Sequence, residues 1–166
     1  MKTKVSLILT LCTGFIFVYA QNNTSIDDLC SSSKKYKIEL NSSSKFVVIS
    51  PKDFKSEGDP YYTHKTDLNN DGKDDLIINL KDCYDPTHCK FGVFIQCEDG
   101  NYVSAYKPEY WLPSFRISKN TEGWKEIILF ERDEAAFNEG RKDKIITPKD
   151  TLEFQNTIYK VRHKSL

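Results

Sequence analysis

The chain carries no excess of charge. Its 24 Lys and Arg residues stand against 24 Asp and Glu. A nucleic-acid binder needs a basic excess or a basic face to displace counterions from phosphates, so this balance disfavours that class. Glycine is scarce, at 7 residues, and no cluster of them could cradle a phosphate. Neither Gly-x-Ser-x-Gly nor His-Glu-x-x-His occurs, which removes two common marks of hydrolases. After residue 18 no apolar run approaches the ~20 residues of a membrane-spanning helix. No long stretch holds a helical period.

Residues 1–20 have the form of a secretory signal peptide. Lys2 and Lys4 make the charged start, residues 5–18 the apolar middle, and Val18-Tyr19-Ala20 the small-residue cleavage pattern. Residues 21–166 are then expected as one secreted or periplasmic domain. Without Lys2 and Lys4 the 24 basic residues become 22, against 24 acidic, a balance of two negative charges.

Cys12 leaves with the leader, and Cys30, Cys83, Cys89 and Cys97 remain. An even count in a secreted chain reads as two disulfides, with three connectivities open. The favoured pairs are Cys83–Cys89, closing a short loop, and Cys30–Cys97, tying the N-terminal segment to the body. Zinc is the alternative, but these spacings lack the close ligand pairs of common zinc sites.

Short apolar or alternating runs at 36–40, 45–50, 75–80, 91–97, 102–106, 115–118, 124–131, 151–155 and 157–162 are bounded by turn-forming residues and predict strands. Residues 26–30 and 51–55 predict single helical turns. The expected fold is mainly β, a compact disulfide-stapled antiparallel sheet domain.

The most specific stretch is Asp67-Leu68-Asn69-Asn70-Asp71-Gly72-Lys73-Asp74-Asp75, followed by an apolar run. Asp67, Asn69 and Asp71 place oxygen-bearing side chains at alternate positions, and Gly72 permits a sharp turn. So much negative charge in one tight loop calls for a cation. Calcium takes six to eight oxygens. The expected ligands are the side chains of Asp67, Asn69, Asp71 and Asp75 and the backbone carbonyl of Lys73, whose side chain points away. An EF-hand is excluded because Ile78 stands where that loop needs a bidentate glutamate.

The stretch 67–78 resembles the calcium loops of the FG-GAP and VCBS families, in which the loop joins two strands and binds Ca2+. The resemblance is confined to one loop, and a propeller needs at least four blades. Small secreted bacterial proteins look similar more loosely over 67–132. They share the loop, a cysteine-bracketed turn (Cys83 to Cys89), an aromatic-Gly-Val strand (Phe91-Gly92-Val93) and a Gly-aromatic-Lys-acidic stretch (Gly123-Trp124-Lys125-Glu126).

Other candidates are weaker. Tyr106, Tyr110, Trp111 and Phe115 lie near Pro108 and Pro113, and aromatics on a stiffened loop make a recognition surface. Glu131 and Asp133 are candidate carboxylates for glycoside hydrolysis, without a recognisable second partner. His64 is near the acidic loop but alone. The reading that follows is a non-enzymatic calcium-binding module with a protein partner, such as an inhibitor or immunity protein facing an envelope hydrolase. No nucleic acid and, after signal cleavage, no membrane is expected as partner. A carboxylate-dependent glycan hydrolase and a calcium-rigidified surface protein are the alternatives.

Overall fold

The computed structural model describes residues 26–41, 43–85, 88–106, 108, 114–119, 123–132, 139 and 146–163. Among these residues one short helix, α1 (Ile26–Ser32), precedes ten strands. They are β1 (Lys35–Leu40), β2 (Val47–Ser50), β3 (Tyr61–Thr66), β4 (Asp75–Asp85), β5 (His88–Gln96), β6 (Tyr102–Ser104), β7 (Ser114–Ile117), β8 (Ile127–Arg132), β9 (Ile146–Gln155) and β10 (Ile158–His163). They form two antiparallel sheets, ordered β2-β1-β6-β5-β4-β3 and β10-β9-β8-β7.

The apolar run after the acidic loop explains the architecture. Successive strand residues face opposite sides, so an unbroken apolar run must be buried on both faces. Ile77 therefore packs with Phe91, Val93, Ile95 and Val103 against Ile127, Leu129, Leu152 and Tyr159 of the second sheet. Leu76, Ile78, Leu80 and Phe94 fill the other face with Tyr36, Val47, Ile49 and Tyr102. On that side the first sheet curls until its outermost strands meet. Phe46 bridges Tyr61, and Val47 N donates to Pro60 O at 2.9 Å. Each fully buried Leu or Ile contributes ~1.5–3 kcal/mol, so β4 and β5 are the energetic centre.

Cys30 is bonded to Cys97 and Cys83 to Cys89. The first holds α1, whose Leu29 is buried, against the body. The second joins directly opposed residues near the end of the β4–β5 hairpin. Two disulfides fit an oxidising compartment. No helix among the described residues is long and apolar enough to cross a membrane.

Three expectations need correction. Residues 61–66, assigned no strand from the pattern, form β3 and pair with β4. Strand β4 continues past Leu80 through a bulge at Lys81, where φ is 57° and the register shifts, and this brings Cys83 opposite Cys89. Residues 51–55 form no helical turn. There Phe54 instead packs edge-on to Phe94 at 5.4 Å, and Asp53 accepts from the Tyr36 hydroxyl at 3.1 Å.

Two substitutions test this packing. A Cβ at Gly92 would lie 2.6 Å from Phe94 Cε2, and that ring is fully buried between Tyr36 and Phe54. Gly92→Ala should cost ~1–3 kcal/mol in urea unfolding. In the β9–β10 turn Thr157 has φ 78°, unfavourable for a β-branched residue. Thr157→Gly should relieve about 1 kcal/mol and raise the unfolding midpoint.

Candidate functional site

The acidic loop curls back on itself through its own amides. Asp67 Oδ1 accepts from the N–H groups of Asn69 and Asp71, both at 3.2 Å, and Oδ2 accepts from Gly72 N at 3.0 Å. Asn69 Oδ1 accepts from Asp71 N at 3.2 Å, and Asp71 Oδ1 from Lys73 N at 2.8 Å. These Asx-type bonds need the chain to pass through left-handed backbone at Asn70 (φ 60°) and Gly72 (φ 82°). Only small or amide side chains adopt that conformation readily, which accounts for the Asn and Gly at these positions.

Asp75 ends the loop and begins β4. It is completely buried. Its Oδ2 accepts from Leu68 N at 2.7 Å, and its Oδ1 accepts from Gln96 N at 2.9 Å. One carboxylate thus ties the loop's beginning to the end of β5. Burial pushes its carboxyl up to about 7. The Gln96 and Leu68 amides oppose that shift, while the charges of Asp71 and Asp67 add to it. The Asp75 charge also helps raise the hydroxyls of Tyr102 and Tyr159, for both of which burial is the larger cause.

The loop is also fastened to the second sheet. Lys125 N donates to Leu68 O at 2.8 Å, and Lys125 Nζ to Asp67 O at 2.5 Å. Asn70 Nδ2 donates to Gly123 O at 2.6 Å. Lys125 O in turn accepts from the Tyr159 hydroxyl at 2.8 Å. Trp124 beside it stacks on Phe154, with ring centres 3.4 Å apart. Sequence reasoning missed this clasp. Its signal was the Gly123-Trp124-Lys125-Glu126 stretch, noted as a motif without a role.

The side chain of Lys73 does not point away. It reaches Asp71 Oδ2 at 3.3 Å and Glu98 Oε1 at 2.6 Å. Glu98 is the largest cause holding its ammonium above the ordinary lysine value; burial opposes it, and Asp71 adds to it. The expected ligand set is all oxygen, from Asp67, Asn69, Asp71, Asp75 and the Lys73 carbonyl, which suits a hard cation such as calcium. Among the described residues no group of three or more His, Cys, Asp or Glu side chains converges closely enough to hold a metal ion. The donor chemistry therefore fits calcium, while the present arrangement spends these oxygens on loop amides and the Lys73 ammonium.

The proposed aromatic surface is not supported where it can be seen. Tyr106 is only 3% exposed and stacks on Phe91 at 5.3 Å. Phe115 is half-buried against Phe91 and His64, at 5.0 and 4.9 Å. Burying the large apolar area of each ring outweighed keeping it available for a partner. Tyr110 and Trp111 lie outside the described residues, as does Asp133. Glu131 sits in β8, its backbone opposite Thr147 of β9.

One open groove adjoins the clasp. His64, Lys65 and Thr66 of β3, Asn70 of the loop, Ile117, Ser118, Lys119 and Lys125 line it. Compared with protein-family models, curated proteins and solved structures, the chain returns no match in any of the three. The likeness to FG-GAP and VCBS loops rests on the residues of the loop alone.

Removing the Asp75 carboxylate strands two buried amides, each worth ~1–3 kcal/mol. Asp75→Ala should therefore lose ~2–5 kcal/mol in urea unfolding, and Asp75→Asn less, because the amide oxygen keeps one bond. The pH response has a definite sign. The folded value, about 7, lies above the ordinary 3.8. The stabilisation linked to protonated Asp75 is complete below about pH 4 and is lost as pH rises through 7. In chelator-treated protein the stability advantage over Asp75→Asn should shrink between pH 5 and 8. A constant difference across that range would contradict the assignment.

Proposed function

We propose that this chain is a calcium-binding, non-enzymatic binding module that works in a secreted or periplasmic setting. One observation carries the reading: the oxygen-rich loop sits at the junction of the two sheets, with the buried carboxylate of Asp75 held only by backbone amides among the described contacts. A divalent cation there would relieve the mutual repulsion of Asp67, Asp71 and Asp75 and stiffen the junction. Binding requires Lys73 to release Asp71 and take Glu98 alone. In this reading calcium supplies structural charge and no chemistry. The partner is a protein, and an envelope hydrolase held in check by this module is the role we favour.

Calcium should raise the melting temperature of the chelator-treated protein. At a hundredfold excess over the dissociation constant the gain is about 2.7 kcal/mol. Asp71→Ala should abolish the shift, and Lys73→Met should leave it intact or enlarge it. No shift at millimolar calcium removes the site. For the partner, capture from an envelope extract should return a hydrolase in calcium and release it in chelator. Turnover of a glycan by the purified protein, lost in Glu131→Gln, would replace this reading with the enzymatic one.

A further inference from the structure

We propose that the groove between β3 and β7 binds an acidic polysaccharide, one that carries carboxylate or sulfate groups along a chain of sugar rings. The proposal rests on the chain's own cations and not on calcium. Charge in the whole sequence is balanced, 24 against 24. In this groove it is not. Among the eight described lining residues, three are lysines, Lys65, Lys119 and Lys125, and none is acidic. Among the described residues the carboxylate paired with a lining lysine side chain is Asp74, 3.0 Å from Lys65. Lys125 gives its ammonium to the Asp67 backbone carbonyl and makes no direct ion pair among the described residues. Lys119 has no ion pair among the described residues. Lys45 adds to the same field, since its charge helps lower the His64 imidazole, after burial.

Shape and polar pattern narrow the ligand. The groove holds about 710 Å³, well inside the ~300–1,000 Å³ range of ligand sites. It lies along two sheet edges and is open to solvent, which suits a passing chain better than an enclosed small molecule. The cations are interspersed with the hydroxyls of Thr66 and Ser118 and the amide of Asn70, and Ile117 supplies apolar surface. A compact phosphate would need its cations to converge on one point. An acidic glycan presents separated anions for lysines, hydroxyls for the neutral donors and C–H faces for an apolar floor. The disulfides fit an oxidising compartment.

The test is calorimetric titration of the full chain at low salt with a heparin-derived hexasaccharide, against maltohexaose as the neutral control. Binding of the acidic sugar alone is expected, weakening as salt rises. Lys119→Glu should weaken it about tenfold and Lys119→Arg should restore it. Lys160→Glu makes the same charge change on exposed β10 and should have little effect. Equal binding of maltohexaose, unchanged affinity in Lys119→Glu, or an equal loss in Lys160→Glu would overturn the proposal. So would tighter binding of a DNA oligonucleotide of matching charge. The titration is run in chelator, so loss of the calcium reading leaves its outcome interpretable.

Discussion

The fold turns on a carboxylate that water does not reach. Asp75 is buried at the first residue of the central strand, and its two oxygens hold the amides of Leu68 and Gln96. A buried polar group is tolerated only when it is satisfied, and here both amides also depend on it. Leu68 is itself fully buried in the shared core. Its carbonyl takes the amide of Lys125. One short chain of contacts therefore runs from β5, through Asp75 and Leu68, to the second sheet.

This arrangement explains why the loop is so acidic without being merely a solvated turn. Asp67 shapes the curl, Asp71 fastens Lys73, and Asp75 anchors the strand. The three charges crowd together at the place where the sheets are stitched, and burial leaves Asp75 poorly served when ionised. A cation is one remedy and protonation another. Calcium and pH would thus act on the same joint, one by neutralising the loop and the other by filling its deepest acid. The adjoining groove shares Asn70 and Lys125 with that joint.

The sheet character and the two central strands were legible, because short apolar runs such as Leu76-Ile77-Ile78 and several turn-bounded alternations leave few other folds. The hairpin at Asn156 and the turn at residues 98–101 were legible from their turn residues. Strand β3 was not. Tyr61 to Thr66 shows no clean alternation, since its faces are only half-buried at a sheet edge, and the pairing with β4 decides it. The extension of β4 beyond Leu80 depends on a bulge that no local pattern announces. At the site, the spacing of Asp67, Asn69 and Asp71 pointed to a convergent loop, but Lys125 joins from 58 residues away, and sequence alone offers no measure of that contact. Tyr106 misled because an aromatic near prolines has the same appearance whether it faces solvent or, as here, stacks under β5.

Amide hydrogen exchange of wild-type protein and Lys125→Met, in chelator, tests the junction most directly. If Asp75 and Lys125 form one clasp, the amides of Leu68, Gln96 and Leu129 lose protection together in the variant, while Ile77 and Val93 in the central strands stay protected. Loss confined to residues next to position 125, with Leu68 and Gln96 unchanged, would contradict the account.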